Sequence, residues 1–341
     1  MRMDTKATVA PCPDRPAALR SPKAGRPVSW PIVLFSKMQS KMMDKLAASS
    51  DAQIIAMQRA APENFITHAI FGKLMPGILT EDQQIEAPGR RLDIRLYQPP
   101  GRVKPSRAIL YMHGGGFVFG DIGLTNWICS GIAARTGMLV ASLGYRLAPG
   151  ARFPAAVEDC YEALTWLHGR SAELDIDPAH IGVAGESAGG NLAAGLCLVS
   201  RDRGGPPIDF QTLIYPALDM TSSSPSISEN AEAPILTAGA MNTFKACYFG
   251  PDGDATNPLA SPLLAPSLEG LPPALIQVAQ HDPIRDDGWR YAARLRAAGV
   301  PVRITEYAGA AHGYVNFPGL CPSIAARAID EIAAYHGAAL S

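Results

Sequence analysis

The stretch Gly185-Glu-Ser-Ala-Gly-Gly190 constrains this chain more than any other part of its sequence. It follows an apolar run of strand type at 181–184 and precedes 191–199, whose composition predicts a buried helix. Glycines on both sides of the serine permit a strained turn that lifts its hydroxyl above a sheet edge. The positive end of the helix then favours negative charge developing nearby. The pattern predicts that Ser187 is a nucleophile, and the alternative is an ordinary Gly-Ser turn.

Helical and strand patterns alternate around this turn. Helix-like segments at 124–136, 154–170, 187–201, 286–298 and 322–337 alternate with apolar strands at 138–142, 180–184, 210–215, 274–279 and 302–307. Further strands are predicted at 84–87, 93–98 and 107–112, the first two as an antiparallel pair. Such alternation predicts an α/β fold, with a mostly parallel central sheet of about eight strands flanked by helices.

The chain divides into several predicted regions. Residues 1–30, with prolines among scattered charges, are expected to form a mobile arm. Residues 31–80 carry apolar side chains at helical spacing and predict an N-terminal helical cap segment. A catalytic domain is expected over 81–341. It contains a further cap insertion at about 218–250, inside a long irregular connection of the kind that is usually functional.

Composition argues against several classes of function. Of the 341 residues, 47% are hydrophobic and 18% charged, and the net charge of −1 provides no field to recruit nucleic acid or an acidic membrane. No run is long enough for stable membrane insertion, and the apolar run at 28–35 is too broken for a signal peptide. Six scattered cysteines without a C-x-x-C pair predict reduced, buried thiols and a cytoplasmic location. Neither a metal nor a cofactor is expected, and a homodimer is one option for assembly.

A serine hydroxyl needs a base to take its proton, so a histidine is required. His312 lies in the Gly-rich loop 308–314, just after strand 302–307, where α/β sheets place their chemistry. It is the predicted general base. Four of the other histidines are explained more simply as surface or packing residues, namely His68, His168, His180 and His336.

An acid must orient the imidazole and stabilise its cation. Asp282 directly follows an apolar strand and lies between Ser187 and His312 in the sequence. Asp286 and Asp287 are rivals, but both are explained as first-turn charges that a helix dipole favours. Asp282 is therefore the predicted acid.

Three glycines follow strand 107–112 in the run His113-Gly-Gly-Gly-Phe117. Their bare backbone can turn N–H groups inward to stabilise an oxyanion. We predict donors at Gly114 and Gly115, with Ala188 as the third. The alternative is a flexible hinge, which a position directly after a buried strand disfavours.

Taken together, these motifs resemble the hormone-sensitive-lipase-like family of α/β-hydrolases, the bacterial esterases called family IV. The matching segments, in chain order, are His113-Gly-Gly-Gly-Phe117, Tyr145-Arg-Leu-Ala-Pro149, Phe153-Pro-Ala-Ala156, Gly185-Glu-Ser-Ala-Gly-Gly190, Ser261-Pro-Leu-Leu264, Asp282-Pro-Ile-Arg-Asp286 and His312-Gly313. The resemblance implies an α/β-hydrolase fold with a helical cap. It also implies hydrolysis of small-molecule carboxylic esters through a triad of Ser187, Asp282 and His312.

Some positions depart from the family pattern. Gly144 and Gly150 replace the usual Asp and Glu, which puts the salt-bridge support of that loop in doubt, and Glu186 replaces the commoner Asp. The leading hypothesis is a serine carboxylesterase for short to medium acyl chains. The alternatives are an amidase, a longer-chain lipase, or a non-catalytic binding protein like the plant gibberellin receptors. Those receptors have lost the histidine, so His312 argues against the last alternative.

Overall fold

The computed structural model describes residues 27–58 and 64–337. Over these residues, eight strands form one sheet in the order β1-β2-β4-β3-β5-β6-β7-β8. The strands are β1 Leu79–Ala87, β2 Arg90–Gln98, β3 Ser106–Met112, β4 Leu139–Gly144, β5 Ile176–Glu186, β6 Gln211–Ile214, β7 Ala274–His281 and β8 Val302–Ala311. Strand β2 is antiparallel to both neighbours, and the other pairs are parallel. The predicted α/β-hydrolase fold with a mostly parallel sheet is confirmed.

Helices cover both faces of this sheet. They are α1 Trp30–Ala47, α2 Asp51–Met57, α3 Phe65–Phe71, α4 Asn126–Thr136, α5 Ala155–Gly169, α6 Ala188–Arg203, α7 Ser226–Glu229, α8 Ala238–Phe249, α9 Arg285–Ala297 and α10 Pro322–Gly337. In β3, Leu110 and Met112 pack into the core on one face, while Ile109 and Tyr111 pack into the core on the other. A strand buried on both faces needs a continuous apolar run, which explains the sequence of β3.

Two strands begin at least four residues earlier than their apolar patterns predicted. Strand β1 begins at Leu79, where it pairs with Gln98, and not at 84. Strand β5 begins at Ile176, and not at 180. Most of the added residues of β1 are exposed, and of those added to β5 only Ile176 is buried. Backbone pairing without burial leaves no apolar periodicity in the sequence.

Three helices precede the sheet, one of 18 residues and two of 7 residues. A capping box begins each of the second and third, with Ser50 paired to Gln53 in α2 and Asn64 to Thr67 in α3. Helix α1 contacts α8, with Met43 packed against Leu236 and Ala240. Whether 31–80 acts as a cap over the site stays a prediction. Most of the predicted arm, residues 1–26, lies outside the described residues.

Two sequence expectations concern buried thiols and membrane spans. The five described cysteines are all buried and free, as the scattered pattern predicted. Across the described ranges, no helix combines the length and the apolar character that crossing a bilayer requires.

Candidate active site

Ser187 stands at a sharp turn between β5 and α6. Its backbone has φ 57° and ψ −117°, a conformation that residues with a side chain rarely adopt. A Cβ on Gly185 would collide with the carbonyl of Gly189, and one on Gly189 would collide with the carbonyl of Met112. Both glycines are therefore required for the close approach of the turn to β3. The predicted strand–turn–helix arrangement is present.

Three predicted residues meet at the carboxyl edge of the sheet. The Ser187 hydroxyl donates to Nε2 of His312 at 2.8 Å, and Nδ1–H of His312 donates to Oδ2 of Asp282 at 2.7 Å. Asp282 directly follows β7 and is fully buried, and its Oδ1 accepts the N–H of Ile284 at 3.0 Å. A buried, charged acceptor fixes the ring orientation and leaves Nε2 free to take the hydroxyl proton.

The rival carboxylates have other partners. Asp286 accepts from the N–H of Ser226 at 3.1 Å and from Arg285 at 2.9 Å. Asp287 is buried and accepts the N–H groups of Leu218 and Asp219 at 3.0 and 3.1 Å. Burial raises the pKa of Asp287 to about 7. Asp282, not Asp286 or Asp287, contacts the histidine.

The glycine loop requires a correction to the predicted oxyanion donors. The N–H of Gly114 already donates to Oε1 of Glu186 at 2.6 Å, so it is not available to an oxyanion. Within the described chain, the N–H groups of Gly115, Gly116 and Ala188 have no hydrogen-bond partner. Gly115 and Gly116 take φ values of +108° and +65°, which favour glycine. Gly114 was the wrong choice, and Gly116 replaces it as the candidate.

Sequence reasoning noted Glu186 only as a departure from the family pattern. The side chain is buried, and it accepts from Gly114 and, at 3.2 Å, from Nδ2 of Asn316. The Tyr111 hydroxyl donates to its other oxygen. Burial raises the pKa of Glu186 to about 7, against the effect of these donors. Glu186 therefore joins the glycine loop to the segment that follows His312.

Two further contacts hold the neighbouring loops. His113 stacks on Tyr145 at 4.2 Å between ring centroids, and the Tyr145 hydroxyl donates to the His113 carbonyl at 2.7 Å. The doubt about salt-bridge support is resolved by Asp159, which is buried and pairs with Arg146 at 2.8 Å and with Arg90 at 2.6 Å. An ion pair therefore supports this loop despite the two glycines.

A cavity of about 50 Å³, partly open to solvent, lies against Ser187. Its apolar wall comes largely from the 218–250 region, which contains α8. The wall includes Met220, Leu236, Met241 and Phe244. Within the described chain, no residue of 31–80 lines it, although Met43 of α1 packs against the buried cluster of Leu236, Ala240 and Ile284. No group of three or more potential metal ligands occurs in the ranges that the structure covers.

Known proteins with similar sequences and structures identify the family of this chain. A family described by the alpha/beta hydrolase fold matches residues 109–316. The esterase LipI of Mycobacterium tuberculosis is 42% identical over 73% of this chain and 78% of its own length. An ethyl acetate hydrolase of Pseudomonas putida is 35% identical over 67% of this chain and 73% of its own. The structure of a hyperthermophilic esterase from Pyrobaculum calidifontis, 34% identical, superposes with a TM-score of 0.79 and covers 92% of this chain and 99% of that one. The chain belongs to the hormone-sensitive-lipase-like carboxylesterase family of the α/β-hydrolase superfamily.

Proposed function

We propose that this protein is a serine carboxylesterase that hydrolyses esters of short to medium acyl chains through an acyl-enzyme on Ser187. The observation that carries the proposal is the continuous hydrogen-bonded chain from Ser187 through His312 to Asp282 beside an apolar cavity. Relatives named as esterases support the same reaction. A nucleophile, a base and an orienting acid are the groups that acyl transfer needs.

In the first half of the reaction, the Ser187 oxygen bonds to the ester carbon while His312 Nε2 takes the hydroxyl proton. The carbonyl electrons move to oxygen, and we assign the N–H groups of Gly115, Gly116 and Ala188 to stabilise that charge. Collapse of the tetrahedral species expels the alcohol, which leaves with the proton from His312. Asp282 stabilises the imidazolium throughout.

In the second half, His312 takes a proton from water, which attacks the acyl carbon. The carboxylic acid leaves, and Ser187 recovers its proton.

The cavity wall of Leu236, Met241 and Phe244 excludes water from the acyl chain. We assign the cap role to the 218–250 region, which supplies this wall, with 31–80 packed behind it.

Purified protein incubated with p-nitrophenyl acetate, butyrate and hexanoate, and with the matching anilides, tests the proposal. We expect rapid ester hydrolysis, much slower anilide hydrolysis, and a burst of p-nitrophenol when deacylation limits turnover. Ser187→Ala should lose about 10⁴–10⁶-fold in kcat while folding normally. Faster cleavage of the anilides would favour an amidase, and comparable activity in the variant would refute the assignment of Ser187.

A further inference from the structure

We propose that Lys245 binds a carboxylate on the substrate, so that the preferred substrates are hemiesters whose acyl chain ends in an anionic group. This inference rests on the proposed function and adds a substrate class to it. The ammonium group belongs to a side chain that lines the same cavity as Ser187.

Lys245 lies on a helix face that is otherwise apolar. Phe244 and Lys245 follow Met241 on α8 by three and four residues, so both side chains lie on the same face as Met241. All three line the cavity. The aromatic ring of Phe244 is so close to Gly116 that a Cβ there would collide with it. The face that carries Lys245 therefore reaches the glycine loop, where the ester carbonyl is expected.

The ammonium group has unused hydrogen-bonding capacity. Its Nζ donates to the Ser222 hydroxyl at 2.7 Å. Among the residues that the structure describes, no ion pair joins Lys245 to a carboxylate. An ammonium has three donors, so two remain for a ligand. The side chain is only partly exposed, and burial lowers the pKa of Lys245.

Asp219, a carboxylate that lines the same cavity, is already paired with other residues. Arg290 pairs with its Oδ2 at 2.9 Å. The side chains and N–H groups of Thr221 and Ser223 donate to the same carboxylate. Asp219 therefore favours the charged form of Lys245 from a distance, and no ion pair joins the two described residues.

The conformation of the segment Thr221-Ser-Ser-Ser224 explains how Ser222 reaches the lysine. Asp219 binds the residues on either side of Ser222, and Ser222 itself has φ +60°. This conformation is uncommon for a residue with a side chain. It brings the Ser222 hydroxyl within hydrogen-bonding distance of Nζ of Lys245 and so holds the ammonium group at the cavity wall.

A lysine can also lay its stem on apolar surface and leave its head in water. Here the head is held by a second residue of the cavity wall, so it stays within reach of a bound acyl chain. A partly buried cation without a paired carboxylate gains most from an anionic ligand, because charge-assisted hydrogen bonds are the strong ones. A carboxylate at the end of the acyl chain supplies that ligand.

The test compares monoethyl glutarate with ethyl pentanoate, a neutral ester of the same acyl length, by titrating the acid released. We expect wild type to favour the hemiester, and Lys245→Met to lower kcat/KM for it by about tenfold or more, mainly through KM. Ethyl pentanoate should change by no more than about twofold. Lys245→Arg keeps the charge and should retain the preference.

Lys41→Met, at an exposed site on α1, removes the same charge outside the cavity and should leave the preference unchanged. Free glutarate should inhibit wild type competitively, and Lys245→Met should weaken this inhibition by a similar factor. An unchanged hemiester preference in Lys245→Met overturns the proposal. A second pair of esters, 4-carboxyphenyl butyrate and 4-methylphenyl butyrate, carries the carboxylate on the alcohol instead. A preference that depends on Lys245 and appears only with this pair also overturns the proposal.

Failure of the proposed ester hydrolysis would give a different result from failure of the anion site. If wild type hydrolyses neither ethyl ester nor aryl ester, ester hydrolysis is refuted. Glutarate binding, measured by calorimetry on wild type, Lys245→Met and Lys245→Arg, then still decides the anion site. Equal heats in all three variants refute it, and loss in Lys245→Met with recovery in Lys245→Arg supports it.

Discussion

The N–H of Gly114 donates to Oε1 of Glu186 at 2.6 Å, which ties the first residue of the glycine loop to the residue before Ser187. The same oxygen accepts from Asn316, four residues after His312. The position of the free N–H groups at Gly115 and Gly116 therefore depends on a side chain that touches no substrate. Glu186 is a positioning residue for the proposed oxyanion hole.

Replacing Glu186 should reduce catalysis more than binding. Glu186→Ala releases the glycine loop, and we expect kcat to fall by about 10²-fold, comparable to loss of one oxyanion donor, with little change in KM. Glu186→Gln keeps an acceptor for Gly114 and should retain most activity. Steady-state kinetics on p-nitrophenyl butyrate distinguish the two variants. Equal losses in both would show that the charge matters, and not the hydrogen bond.

Buried carboxyls should also make the protein less stable as pH rises. Glu186 and Asp287 titrate near 7 when folded, above their ordinary values of 4.5 and 3.8. The folded state therefore holds protons that the unfolded chain has released. This contribution is fully present below the unfolded pKa values and is lost as pH rises through about 7.

Urea unfolding at intervals from pH 5 to pH 8 measures this effect. Each group should lower the free energy of unfolding by about 1 kcal/mol per pH unit inside the window. Buried His113 and His336 have pKa values below the ordinary 6.5 and act in the opposite direction, because their contribution to stability grows as pH rises toward 6.5. The difference between wild type and Glu186→Gln therefore isolates the carboxyl. Carboxyls with a lowered pKa, such as Asp82 and Asp219, act below this window. Glu186→Gln should flatten the slope, and an unchanged slope in that variant would contradict the assignment.

The acid can be identified by comparing two amide substitutions. Asp282→Asn keeps size and shape but removes the charge that orients His312, so kcat should fall by about 10⁴-fold. Asp286→Asn should cost far less, because Asp286 binds Ser226 and Arg285 instead. Pre-steady-state acylation rates for both variants provide the measurement. A larger loss in Asp286→Asn would reverse the assignment.

Chain-length selectivity should depend on α8 more than on α1. Phe244→Ala enlarges the cavity next to Gly116 and should raise the ratio of kcat/KM for hexanoate over acetate esters. Met43→Ala removes a side chain that packs behind the wall without lining it, and serves as the control. A shift in Met43→Ala equal to that in Phe244→Ala would mean that the N-terminal helices set the selectivity.

Much of the candidate site could be predicted because its signals are local. Glycines around Ser187, between an apolar strand and a helix, indicate the turn without any knowledge of distant contacts. His312 and Asp282 each follow the end of a parallel strand, and parallel strands end at one edge of the sheet. The order of strands and helices in the sequence was therefore enough to predict that Asp282 and His312 lie close together.

The remaining features depend on backbone direction and distant contacts. The φ values of Gly115 and Gly116 decide which N–H groups of the glycine loop are free. Glycine permits many backbone conformations, so the sequence does not predict these φ values. Asp287 does lie in the first turn of α9, as predicted, but its role in holding Leu218 and Asp219 is a contact across 68 residues or more. No local periodicity reports such contacts.

The most direct test of the account is covalent labelling of the nucleophile. A p-nitrophenyl alkylphosphonate should react with wild type, release one p-nitrophenol per chain and leave the phosphonyl group on Ser187. Tryptic mass spectrometry then locates the adduct. We predict a single modified site at Ser187, slow labelling in Asp282→Asn, and none in Ser187→Ala. Stoichiometric labelling of Ser187→Ala, or an adduct at another residue in active wild type, would contradict the central claim.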